Sequence, residues 1–122
     1  WGRHINPTPI LLPDTPEGAI GEINAQYIHG KVVLTYCDEK RGVIVRLADR
    51  PDALWTKSRE IVTRLQEPSM YAPSIHPWSP SLEDAYLHLS SWRQWDGRTI
   101  DYCARGYRVN LTGNTPGAEG AA

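Results

Sequence analysis

The sequence predicts an all-β chain, a partial β-propeller of about two four-stranded antiparallel blades. Three observations carry that expectation: short apolar runs punctuated by tight-turn residues, a composition rich in turn formers and aromatics, and a repeat near fifty residues. The clearest stretch is GEINAQYIHGKVVLTYCDEKRGVIVRLAD, residues 21–49. Ile23 to Ile28 reads as a strand, His29-Gly30 as a tight turn and Lys31 to Cys37 as a second strand. Asp38 to Gly42 is a polar turn ending in glycine, and Val43 to Leu47 is the third strand. A loop with Pro51 and Trp55 leads to a fourth strand, Ser58 to Leu65. Four short strands joined by tight turns form one meander sheet with two faces to bury, which is the unit of a propeller blade.

On either side the chain reads less regularly. Residues 1–12 (WGRHINPTPILL) resemble the last strand of a preceding blade, with Pro7 and Pro9 tolerable only on an edge. Residues 13–21 are a linker punctuated by Pro, Asp and Gly. Residues 22–65 form a complete blade, and Gln66 to Ser69 is the next break. A final blade over residues 70–111 holds Met70 to Pro77, a loop to Asp84, Ala85 to Trp92, the hairpin RQWDGR, and Thr99 to Leu111. Residues 112–122 carry too little apolar surface to offset their ordering entropy and read as a flexible tail.

The two blades repeat. Trp1 precedes Pro9-Ile10-Leu11 as Trp55 precedes Glu60-Ile61-Val62, and the tryptophans are 54 positions apart. Val32 (VVLTY) and Tyr86 (YLHLS) are also 54 apart. That period is in the range of propeller blades of the kelch size, although a β-sandwich with similar strands fits the same pattern. Closure of a propeller takes at least about four blades. The expectation is therefore the C-terminal portion of a longer protein, with that chain's missing N-terminal blades as its partners.

Composition sets the outer limits. Ten prolines, ten glycines, five tryptophans, six tyrosines and no phenylalanine suit many short strands better than helices. With 13 basic against 14 acidic residues in 122, there is no electrostatic footprint for nucleic acid or an anionic membrane. No apolar run approaches the roughly 20 residues of a membrane span. The chain starts at Trp1 with no basic-then-apolar leader among its residues; a signal peptide upstream of them would not show in this sequence. Cys37 and Cys103 lack the spacing of a zinc or redox motif and read as two small hydrophobes; a disulfide would require their strands to be neighbours. No cofactor is expected.

The succession GEINAQYIHGKVVLTY, VRLADRPDALW, MYAPSIHPWSP and DAYLHLSSW resembles the final two blades of the actinobacterial and mycobacteriophage five-bladed propellers that include endo-D-arabinofuranosidases. The resemblance covers roughly residues 1–111. It implies hydrolysis of the D-arabinan of mycobacterial arabinogalactan and lipoarabinomannan, a cell-wall polysaccharide as partner, and a secreted, cell-surface or phage-particle location. A non-catalytic carbohydrate-binding propeller, such as a phage tail or adhesion module, is the alternative.

In a propeller the innermost strand of each blade lines the central channel, which directs attention to the first strands. Glu22 is the carboxylate of most interest, as one of the paired carboxyls of a glycosidase or as a sugar-hydroxyl acceptor; a strand-end glutamate bonding backbone fits equally. Asn24 and Gln26 share its parity and offer neutral hydrogen bonds, leaving Ile23, Ala25 and Tyr27 to face the next blade; a sheet edge simply exposed to water gives the same pattern. His76 in SIHPWSP could meet substrate or serve the architecture, and without partners at ligand spacing it implies no metal. Trp78 is a candidate sugar platform, whereas Trp1, Trp55 and Trp92 suit blade interfaces. Asp49 reads as a turn cap.

Overall fold

A computed structural model describes residues 9–113 of the chain. Its elements are all strands: β1 (Ile23–Ile28), β2 (Lys31–Asp38), β3 (Gly42–Ala48), β4 (Arg59–Thr63), β5 (Met70–Ile75), β6 (Ala85–Trp95) and β7 (Arg98–Val109). They form two antiparallel sheets, β1-β2-β3-β4 and β5-β6-β7, consistent with partial propeller blades. Among the described residues the second sheet has three strands against the four of the first.

Turn chemistry sets the strand register. His29 (φ +48°) and Gly30 (φ +79°) close the β1–β2 hairpin, the left-handed pair that a two-residue turn matched to strand twist requires. Asp96 (φ +54°) and Gly97 (φ +75°) do the same for β6 and β7, so those strands run closer to the hairpin tip than a six-residue loop would allow. Gly42 has φ +141°, and a Cβ there would lie 2.1 Å from the carbonyl oxygen of Val62. This close approach of β3 to β4 immediately precedes the register shift between Val43 and Ile44. In β5, Ala72 adopts φ +52° and the pairing with β6 slips between Tyr71 and Ser74.

The sheets stack face to face. One apolar cluster draws Ile28, Val33, Val45, Leu47 and Val62 from the first sheet and Met70, Ile75, Leu87 and Leu89 from the second. The buried Thr35 hydroxyl crosses the layer to donate to the carbonyl of Pro73 at 3.3 Å. At the far side the Arg59 guanidinium donates to the carbonyl of Asn110 at 2.5 Å. β5 therefore lies against β1 and β2, while β4 meets the end of β7. First strand on first strand and last on last is the arrangement of neighbouring blades.

The outer face of the first sheet is covered by chain, not by another sheet. Leu11, Ile20 and Trp55 pack on Leu34, Tyr36 and Ile44. The buried Arg46 pins this arm, donating to the carbonyls of Thr56 at 2.8 Å and Leu12 at 3.0 Å. Asp14 accepts from the Ser58 backbone N–H at 2.7 Å and hydroxyl at 2.6 Å. Those bonds, led by the Ser58 hydroxyl, hold its carboxyl below the usual range. Residues 9–12 carry no strand, which departs from the strand expected over residues 1–12. Trp1 and the rest of that stretch, like most of the expected tail from residue 114 onward, lie outside the described residues. The second half of the repeat can be seen directly: Val32 and Tyr86 are each the second residue of the middle strand that follows the first in its sheet.

Candidate functional site

Trp78 occupies the β5–β6 connection, at the end of the sheets that also carries the β1–β2 turn. The connection is tightly self-bonded. The His76 carbonyl accepts from the Ser79 N–H at 3.0 Å and from the Ser79 hydroxyl at 2.6 Å. That hydroxyl in turn accepts the N–H of Tyr86 at 2.9 Å. The Ser81 hydroxyl accepts the N–H of Asp84 at 3.0 Å. Pro77 and Pro80 restrict the remaining φ angles. The result is a loop ordered by its own bonds, with the Trp78 side chain standing 84% exposed upon it. An exposed indole on such a loop presents a flat apolar surface to solvent.

His76 contacts Trp78 through both its ring and its Nδ1. Its Nδ1 lies 3.0 Å from the Trp78 N–H and accepts from it, so the neutral ring carries its proton on Nε2 and has a donor to offer. The ring stands edge-on to Trp78 at 5.5 Å and to His88 at 5.4 Å between centroids. His29 reaches across from the β1–β2 turn, its Nε2 2.6 Å from the Ser79 carbonyl oxygen, and so donates to it. Three histidines thus surround one loop. Among the described residues no group of three His, Cys, Asp or Glu side chains is arranged to hold a metal ion.

Glu22 lies at the opposite end. It is exposed and immediately precedes β1, whose six residues span roughly 20 Å at the usual rise per residue. Its neighbours there are Cys37 and Arg64: burial pushes the Cys37 thiol up, Arg64 opposes this and the Glu22 carboxylate adds to it. The structure therefore brings His76 and Trp78 together and leaves Glu22 a strand's length away.

Asn24 and Gln26 are half-buried, in the same parity as the buried Ile28, while Ile23, Ala25 and Tyr27 are exposed. Asn24 pairs with Thr35 and Gln26 with Val33, so their side chains share the face that the second sheet covers. This reverses the expected orientation, in which the odd-numbered residues met the next blade. Ile28 decides the matter, because burying its apolar side chain turns the whole even set inward. The Asn24 Oδ1 is buried without a hydrogen-bond partner, and a surface cleft borders Gln26 together with Tyr27, Asp49 and Arg50.

One buried polar cluster gave no sign of itself in the sequence. Glu67, in the connection between β4 and β5, is 6% exposed. It accepts from the Ser91 hydroxyl and from the Tyr107 hydroxyl at 2.8 Å, and it pairs with Arg105 at 3.1 Å. Burial acts to raise its pKa, but the two hydroxyls with Arg105 and Arg93 outweigh it and hold the carboxyl below its ordinary value. Arg93 and Arg105 also both reach Asp101. QEPS in a loop signals only a turn; it is the tertiary approach of β6 and β7 that makes this glutamate a buried hub.

Residues 1–112 match the family described as Domain of unknown function (DUF4185). No curated protein and no solved structure matches the chain.

Proposed function

Because this chain belongs to the DUF4185 family, whose architecture is β-propeller-like, we propose that it is the sugar-gripping C-terminal wall of a larger propeller. The parent hydrolyses furanosidic polysaccharide, the D-arabinan of mycobacterial arabinogalactan and lipoarabinomannan. The exposed indole of Trp78 on its self-bonded loop carries the proposal. It supplies the apolar platform, and His76 the adjacent hydrogen-bond donor. A polymer lying along the open edge of β1 would reach from this platform toward Glu22, which serves as the carboxylate of this chain in a glycosidase pair. The second carboxyl comes from the missing blades, and the site works outside the cell on its wall substrate.

A second reading has an observation of its own. Glu22 and Trp78 stand at opposite ends of β1, and separation of that kind suits a non-catalytic module that grips wall polysaccharide at a phage tail or cell surface. Release of reducing oligosaccharide from mycobacterial arabinogalactan, by the full-length parent and its Glu22→Gln variant, separates the two. Hydrolysis by the parent, at least a hundredfold slower in the variant, supports the enzyme with Glu22 as catalytic residue. Hydrolysis unchanged by the substitution reduces Glu22 to architecture. Tight polysaccharide binding with no hydrolysis by the parent establishes the binding module instead.

A further inference from the structure

The edge of β1 and the β3–β4 loop line a surface cleft of about 450 Å³ that shares no residue with the Trp78 loop. Its lining is mixed in a way that packing does not demand. Tyr27 is 70% exposed on an edge strand, so its ring face is open to a ligand. Pro51 and Val32 give the cleft further apolar surface, and Asp49 and Arg50 give it polar groups.

We propose that this cleft is a second sugar-binding subsite, taking a neutral ring of the same polysaccharide against Tyr27. The proposal rests on the carbohydrate reading above and extends it to residues that reading leaves without a role. Charge balance selects the ligand. Lys31 is paired with Asp49, and the Arg50 guanidinium makes a two-pronged contact with Asp52 at 3.0 Å on each arm. Two cations and two carboxylates thus cancel at the rim. Lys31, by hydrogen bond first and charge second, holds the Asp49 carboxyl below its usual range, so Asp49 is an ionised acceptor for hydroxyl groups. Bidentate use of Arg50 removes the fork that would clamp a phosphate or carboxylate. What remains is an aromatic face and a carboxylate acceptor, which suit a polyhydroxylated, uncharged ring.

Position couples this cleft to the first platform. Tyr27 is two residues before His29, whose side chain bonds the Ser79 carbonyl, and Ser79 follows Trp78 directly. The path from Tyr27 to Trp78 is on the order of 20 Å along these links, given the 3.8 Å spacing of successive Cα atoms. Both aromatics lie at the same end of the sheets, so one oligosaccharide can engage both, and each then raises the effective concentration of sugar at the other.

The test is titration of the full-length protein with a soluble neutral arabinan oligosaccharide, followed by calorimetry, for the wild type and for Tyr27→Ala, Tyr27→Phe and Trp78→Ala. Tyr27→Ala is expected to weaken binding at least tenfold with an unchanged melting temperature, and Tyr27→Phe to retain binding within about threefold because the ring face remains. Undiminished binding in Tyr27→Ala, with binding lost in Trp78→Ala, overturns the second subsite and leaves the proposed function standing. Absence of binding by the wild type overturns both. Tighter binding of an anionic polysaccharide than of the neutral one, dependent on Tyr27, refutes the neutral-ring assignment.

Discussion

Replacing Glu67 should expose how the second sheet is held to its connection with the first. Glu67→Gln keeps the volume but turns an amide N–H₂ toward groups that are themselves donors: the hydroxyls of Ser91 and Tyr107 and the Arg105 guanidinium. Breaking a buried ion pair by removing one partner costs about 3–5 kcal/mol. Arg105 is about one-third exposed and water can solvate part of it, so the loss expected here is nearer 2 kcal/mol. In a domain of this size that lowers the melting temperature by roughly 8 °C.

The loss should depend on pH in one direction. The folded-state pKa of Glu67 lies below its ordinary value of 4.5, so its contribution is complete above that value and disappears as pH falls through the folded pKa. The gap between wild type and variant should be constant from neutral pH to about 5 and close below about 4.5. Urea unfolding followed by tryptophan fluorescence measures it directly. A variant within about 0.5 kcal/mol of wild type at pH 7, the range of an ordinary surface change, would refute the buried-hub account. So would a gap that persists unchanged at acid pH.

Further outcomes follow from the backbone and the arm. Gly42→Ala should cost about 3 kcal/mol or more, because its Cβ would meet the Val62 carbonyl at 2.1 Å in a φ +141° conformation; thermal unfolding reads this, and a neutral result would deny the close approach. Arg46→Ala removes the bonds to the Leu12 and Thr56 carbonyls and should raise amide exchange through residues 9–20 well before the β2–β3 core responds. Uniform exchange across both would show that the arm is not separately pinned. Trp78→Ala, on an exposed side chain, should leave stability within about 0.5 kcal/mol of wild type.

The strands were legible because their signals are local. His29-Gly30 and Asp96-Gly97 are hairpin pairs, and the apolar runs beside them have nowhere to go but into a sheet. The face that a strand buries is less local. Period two groups Asn24 with Gln26, but only the packing of Ile28 against the second sheet says that this group turns inward. The slip at Ala72 was hidden too, since alanine carries no preference for a positive φ. Of the candidate residues, His76 and Trp78 are neighbours in sequence and stay neighbours in space, whereas Glu22 and His76 were linked only by the idea that both serve inner strands. Their placement at opposite ends follows from strand length and direction. Glu67 was illegible because a buried carboxylate is defined by partners on β6 and β7.

The most direct test of the central claim is retardation of the full-length protein by mycobacterial arabinogalactan in affinity electrophoresis, for wild type beside Trp78→Ala. Strong retardation of the wild type, largely lost in a variant that melts at the same temperature, is the result expected of a sugar-gripping wall built around Trp78. Equal retardation of both proteins, or none of either, would contradict it.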